Sequence, residues 1–301
     1  MRARFAVLAL LALTTGCGSS SQSSTSGSPA RGSLDALWKG SGESVGLILG
    51  DSDFSPGTLR VTFLVVNGQG RVIAPTRARV WVARGREKEP FEQTIARLEP
   101  VGVPGLSADA DVKAIYVAKV HVPAPGTYYM LARPIGRERI GGLRELLVKS
   151  KSASPPVGSR AYPSRTPTLA STHGDLAALT TRTPPDRELL RYSIASSLAA
   201  HVPFVVTFAT PRYCSSRTCG PVVDVVDHVR RSFSRSKVRF IHVEIYKGNN
   251  PQNGENRWVR EWDLPTEPWT FLIGGDGRIK SKFEGSLSIR ELTASVKELL
   301  R

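Results

Sequence analysis

The chain is short of aromatic residues, of carboxylates to balance its bases, and of any N-terminal apolar run long enough to cross a membrane. Aromatics make up 7% of the 301 residues, and none forms a stripe through the densest basic cluster, Arg230, Arg231, Arg235, Lys237 and Arg239. Without stacking faces among the cations there is no platform for bases, so nucleic acid is not an expected partner. The net charge of +15 then reads as solvated surface. The apolar run at 5–13 is too short to span a bilayer as a helix. Tetrahedral zinc wants four ligands, whereas only Cys214 and Cys219 stand together. No cofactor is called for: the "GGDG" at 274–277 falls between two expected strands, which is no place for a phosphate-cradling loop.

What the N-terminus does carry is a targeting pattern. Arg2 and Arg4 precede the apolar run, and small residues lead to Cys17, which together read as a secretory signal. "TTGC" at 14–17 resembles the bacterial lipobox, although Thr14 stands where that motif prefers Leu. The resemblance implies a signal peptide over 1–17 and lipid on Cys17, holding the protein on the extracytoplasmic face of the cell membrane. A Ser/Gly-rich stretch over 18–42 reads as a flexible tether. Lipidation of Cys17 leaves Cys214 and Cys219 alone together in an oxidising compartment, where a disulfide between them can persist.

Between 43 and 150 the pattern is β. Alternating runs at 58–66, 77–84, 113–122, 126–133 and 144–149 are divided by turn residues, with no convincing helix between them. Strands at this spacing predict an immunoglobulin-like sandwich. His121 lies in an expected strand, and Asp51 with Asp53 reads as turn chemistry rather than a calcium site. Residues 151–174, rich in Ser and Pro without a periodic apolar face, read as a linker.

From 175 to 301 helix and strand alternate. Helical spacing predicts a helix over 185–200 and another over 221–233; apolar runs at 203–209 and 238–246 predict buried strands. A short helix around 258–262, a hairpin across 274–277 and a closing C-terminal helix complete the pattern. This order resembles the thioredoxin fold, on three features: the cysteines between a buried strand and a helix, Pro268 ahead of a strand, and the ending "FLIGGDGRIKSKFEG". The expectation is therefore an α/β thioredoxin-like fold over 175–301, preceded by an all-β immunoglobulin-like sandwich over 43–150. The resemblance implies that Cys214, Cys219 and a cis Pro268 form a redox centre acting on extracytoplasmic protein thiols or disulfides. "TP" at 210–211 with Cys214, Cys219 and Gly220 also resembles thioredoxin-fold peroxidases, but Pro268 stands where those place an arginine.

The chemistry expected at the pair follows from its neighbours. Thiolate is the nucleophile, and Arg212, Arg217 and the N-terminus of the following helix all favour it. Glu244 and Glu267 are candidates for proton handling, and Trp258 with Trp262 for a groove. Gly220-Pro221 predicts an irregular loop over 211–218 and a helix from about Pro221, with Cys214 the more exposed, attacking thiol and Cys219 the resolving one. Three alternatives stay open: an inert disulfide in a binding module, a thiol peroxidase, and a Cu(I) carrier using the two soft ligands.

Overall fold

The computed structural model describes residues 32–40, 43–106, 112–137, 139–215 and 217–301. The expected signal peptide, Cys17 and most of the expected tether lie outside them. Among the described residues no helix is long and apolar enough to cross a membrane.

The first element is α1 (Leu34–Lys39), capped by the Ser33 hydroxyl, which accepts from Ala36 N. Its buried Leu34 packs with Trp81, Ala83 and Leu131. The end of the expected tether is therefore a helix docked on the next unit, because Leu34, Leu37 and Trp38 give it an apolar face.

Seven strands follow: β1 (Glu43–Leu49), β2 (Gly57–Val66), β3 (Arg77–Ala83), β4 (Glu92–Pro100), β5 (Ala114–Val122), β6 (Gly126–Pro134) and β7 (Ile140–Val148). They form a closed barrel in the order β1-β2-β5-β4-β3-β6-β7. Neighbours are antiparallel except at the closure, where Glu43, Ser44 and Val45 of β1 run parallel to Ile140, Gly141 and Gly142 of β7. Alternation turns Leu59, Val61, Phe63 and Val65 of β2 inward, and the Phe63 ring stacks on Tyr116 with centroids 5.2 Å apart. Each such large apolar side chain contributes roughly 1.5–3 kcal/mol by leaving water.

The second unit is a four-stranded sheet of β8 (Phe204–Phe208), β9 (Arg239–Val243), β10 (Trp269–Ile273) and β11 (Ile279–Glu284), ordered β11-β10-β8-β9. Only β8 and β9 are parallel. Its helices are α2 (Ile194–Ala199), α3 (Cys219–Arg230), α4 (Arg257–Glu261) and α5 (Ile289–Leu299). Alternate residues of β8 serve two cores: Val205 packs with α3 and α5 valines and leucines, while Phe204, Val206 and Phe208 pack with Trp262 and Phe271.

Both halves of the expected fold class need correction. An immunoglobulin-like sandwich leaves its sheets with edges, whereas here β1 is paired on both sides and the edges are closed. The expected α/β thioredoxin-like fold does not describe the chain either: it is mostly β, dominated by the barrel, with few and short helices. Where one helix was expected over 185–200 there is a single 3-10 turn, Arg187–Leu190, and then the six-residue α2. Ser193 interrupts them, because its hydroxyl and that of Ser196 form a capping box that starts a new helix. Strands β1 and β4 were not expected; in β4 only Ala96 and the half-buried alternate positions face inward, too little apolar signal to register, while the buried Glu99 lies on the outer face against Arg290 of α5.

Residues 151–174, expected as a linker, lie packed along the second sheet. Gly158 N donates to Ile279 O, Ile279 N to Ser159 O and Ala161 N to Gly277 O, while Ser154, Ser164 and Thr166 are buried. The two units are also joined directly. Arg60 of β2 pairs with Glu291 of α5 at 2.8 Å and donates to Ser286 O. Glu284 of β11 accepts from Ser52 N and Asp53 N, both at 2.9 Å. Asp53 in turn accepts from Ala153 N and Ser154 N. The backbones meet at two glycines: a Cβ on Gly285, whose φ is +67°, would collide with the carbonyl oxygen of Gly50.

Candidate functional site

The cysteine loop is built by β8 and α3. The chain leaves β8 at the buried Thr210, whose carbonyl accepts from Tyr213 N and Cys214 N, and Arg217 N then donates to Cys214 O. Arg217 takes a left-handed φ of 54°, a conformation that costs a residue with a Cβ free energy and persists where its surroundings impose it. The α3 helix starts at Cys219, two residues ahead of the expected Pro221. Pro221 still falls in the first turn, where a missing N–H costs nothing. Cys214 and Cys219 form a disulfide with Cα atoms 5.9 Å apart. A regular helix through both would hold them about 8.6 Å apart, so the turn before α3 is what makes the bond geometrically available.

Exposure separates the two sulfur-bearing residues. Cys214 is 8% exposed and Cys219 fully buried at the N-terminal end of α3. The positive end of a twelve-residue helix stabilises thiolate at that place. Arg212 lies over the Tyr213 ring and donates its N–H to Thr181, and Arg217 is exposed on the loop.

Tertiary structure adds a carboxylate that the local sequence does not. A carboxylate oxygen of Glu267 and both cysteine sulfurs all lie within 4.8 Å of one another. Glu267 precedes Pro268 through a cis peptide and stands at the start of β10, beside β8. Its Oε2 is buried without a hydrogen-bond partner among the described residues. Burial raises its pKa to about 7, helped by the charges of Glu244 and Glu255. A group poised there can give or take a proton at neutral pH.

Glu244 is more deeply held. It accepts from Thr181 N at 2.5 Å and from Thr181 Oγ1 at 2.7 Å, and its second oxygen is buried without a partner among the described residues. His242 is buried between Thr180 Oγ1 and Ala209 O, and burial lowers its pKa, so the ring is neutral. Of the two tryptophans expected to line a groove, Trp262 is a core residue whose Nε1 donates to Ser164. Trp258 borders a cavity of about 150 Å³ with His242 and Glu244.

The groove beside the cysteines has a wall that no reading of 175–301 alone supplies. A cavity of about 510 Å³ is bordered by Ser215, Thr218 and Glu267 on one side and by Ile48, Leu64 and Ile115 of the barrel on the other. Glu284, seated on the Ser52 and Asp53 N–H groups, fixes the two walls relative to each other. The sequence signal for this contact is weak, since Ile48 and Glu284 are separated by more than two hundred residues. Asp51, expected as turn chemistry, is likewise part of the seam: both its carboxylate oxygens accept from Thr62 N, and Arg60 lies 3.6 Å away. No family model matches the chain, and a search of curated proteins finds no match.

Proposed function

We propose that Cys214 and Cys219 are a working dithiol-disulfide centre that exchanges with extracytoplasmic protein thiols, with Glu267 handling the proton. The observation that carries this reading is the buried, unpartnered carboxylate oxygen of Glu267 beside both sulfurs. A structural staple has no use for a group titrating near pH 7 at that place. A loop of this length also gains little entropy from closure, which makes the bond an inefficient stabiliser.

In the direction that starts from the disulfide, a substrate thiolate attacks Sγ of Cys214, the more accessible sulfur. A mixed disulfide forms, the Cys214–Cys219 bond breaks, and the electron pair leaves on Cys219 Sγ. The positive end of α3 stabilises that thiolate until Glu267 delivers a proton. A second substrate thiolate then attacks the mixed disulfide, releasing oxidised substrate and the Cys214 thiolate. Two electrons pass from the substrate dithiol to the pair; of the two protons its thiols give up on becoming thiolates, one replaces the proton that Glu267 delivered to Cys219 and the other goes to solvent, leaving Cys214 as thiolate. Run in reverse, Cys214 is the attacking thiol and Cys219 the resolving one. The groove walled by Ile48, Leu64 and Ile115 is where the chain flanking the substrate cysteine would lie. The lipobox-like "TTGC" supports placing this chemistry on a membrane through lipid at Cys17; Cys17→Ala would then move the protein to the soluble fraction.

Cys219→Ser should accumulate mixed disulfides through Cys214, and Cys214→Ser should not. The exchange rate should change with pH around 7 in the native protein, and Glu267→Gln should abolish that inflection. A reduction potential below about −300 mV would place the bond among structural disulfides and sink the proposal.

A further inference from the structure

Away from the cysteines, the outer face of the barrel sets cation opposite cation. Arg77 is the registered partner of Arg97 across β3 and β4, Arg79 of Arg133 across β3 and β6, and Arg60 of Lys119 across β2 and β5. Like charges directly opposed on antiparallel strands destabilise the sheet, so the arrangement is not one that folding selects. Part of it has a structural use: Arg79 and Arg133 lie over the Trp81 ring, and Arg60 pairs with Glu291 and Asp51. Arg97 and Lys119 have no such use. Both are exposed, and neither makes an ion pair among the described residues.

Arg97 and Lys119 face the same space. They form one wall of a groove of about 1000 Å³ whose other wall is β11 and α5, with Lys280, Arg290 and Arg301 on it. Seven basic side chains and two carboxylates border the groove; Arg60 is paired with Glu291, and Lys280, Lys282 and Arg290 with Asp276, Asp53 and Glu99 just outside it, which leaves Arg97, Lys119 and Arg301 against Glu298. Small side chains, Ala294 and Ser295, keep the α5 wall low between Arg290 and Glu298. Among the described residues, the only aromatic at the groove is Phe283, which is 8% exposed and covered by Arg60 at 5.5 Å.

We propose that this groove binds a flexible, linear phosphate polyanion. Charge complementarity names the sign of the ligand and the two-walled shape names its form. Cations on facing walls surround a chain, whereas a planar bilayer reaches only one wall. Nucleic acid is not the favoured ligand, because the groove presents no exposed ring on which a base would stack. The inference is independent of the cysteine chemistry.

The test uses the full chain and long-chain inorganic polyphosphate as probe, with single-stranded DNA and anionic phospholipid vesicles as comparators. The native protein should bind polyphosphate with strong salt dependence. Arg97→Glu with Lys119→Glu should weaken binding about tenfold or more and lower the salt slope by about one to two. The thermal unfolding midpoint should hold or rise, since Arg77 and Arg60 then face opposite charges. Should that variant misfold, Arg97→Gln with Lys119→Gln carries the same prediction with a smaller loss. Arg144→Glu with Lys149→Glu makes the same change in net charge elsewhere and should leave binding nearly intact. An equal loss in that control would mean that net charge alone binds the probe, which overturns the assignment. Binding to vesicles but not to polyphosphate, or a clear preference for DNA at matched charge, would overturn it as well.

Discussion

The barrel and the second sheet differ in where their buried polar groups go without hydrogen-bond partners. In the barrel the buried Tyr116 and Tyr128 hydroxyls donate to Pro75 O and Ala124 O, and the inward-facing cluster is otherwise hydrocarbon; Thr62 Oγ1, buried without a hydrogen-bond partner among the described residues, belongs to β2 where its N–H meets Asp51 at the seam. In the second unit Thr210 Oγ1, Glu244 Oε2, Trp258 Nε1 and Glu267 Oε2 are buried without hydrogen-bond partners among the described residues. Leaving such groups unmade costs about 1–3 kcal/mol each, a cost that a purely structural sheet would avoid. Three of these atoms belong to the segments that leave β8, end β9 and enter β10, and Trp258 stands on α4 beside Glu244. On the proposed function, the barrel would serve as scaffold and wall and the second unit would carry the chemistry.

That division is sharpest if the second unit needs its ordered strap but not the barrel. A fragment beginning at Thr172 loses the buried Ser154, Ala161, Ser164 and Thr166 and the backbone bonds to Gly277 and Ile279. It should fail to unfold cooperatively, whereas a fragment beginning at Ser150 should retain a transition; thermal unfolding followed by near-UV circular dichroism separates the two. Equal behaviour of both fragments would show that the strap is dispensable.

The next test acts on the seam. Arg60→Ala leaves Glu291 and Asp51 buried without their cation, and removing one partner of a buried pair costs about 3–5 kcal/mol. Both units should lose stability together in denaturant titration if the seam couples them; loss confined to the barrel would show that they stand independently. Gly285→Ala strikes the same contact from the other side. A left-handed φ alone costs a residue with a Cβ about 1–2 kcal/mol, and the collision with Gly50 adds to it. Its effect should reach the cysteine groove, seen as altered alkylation of reduced Cys214.

The smallest effect is a pH dependence. Burial pushes Asp51 from 3.8 up to about 7, outweighing the pull of Arg60 and Thr62 N–H. Its folded pKa lies above the unfolded one, so the stability it contributes is fully present below about 3.8 and is lost as pH rises through about 7. Glu267 acts in the same direction. Asp51→Asn should therefore flatten the decline in melting temperature between pH 5 and pH 8, by roughly the same amount whether or not the cysteines are reduced. A slope unchanged by the substitution would remove Asp51 as its source.

Much of the secondary structure is legible in the chain, and the reasons are local. Leu59, Val61, Phe63 and Val65 alternate with Arg60, Thr62 and Leu64, which reads as a strand with one inward face. The turn before α3 follows from Gly220-Pro221 and from the reach of a disulfide. By contrast β4 is inward-facing at few apolar positions, and its place in the barrel comes from pairing with β3 and β5. Cys214 and Cys219 could be named as a pair from spacing alone. The closeness of Glu267 to them could not, because it depends on β10 pairing with β8 in one register.

Local patterning, then, is enough to place most of the strands and the cysteine loop, and the helix start after it to within two residues, since hydrophobic periodicity, capping and proline geometry act over a few residues. Barrel closure, the docking of 151–174 and the seat of Glu284 on Ser52 and Asp53 are decided only in three dimensions. Each depends on which distant backbone groups find each other, and burial then sets the proton affinities of Asp51 and Glu267. No window along the chain contains those partners.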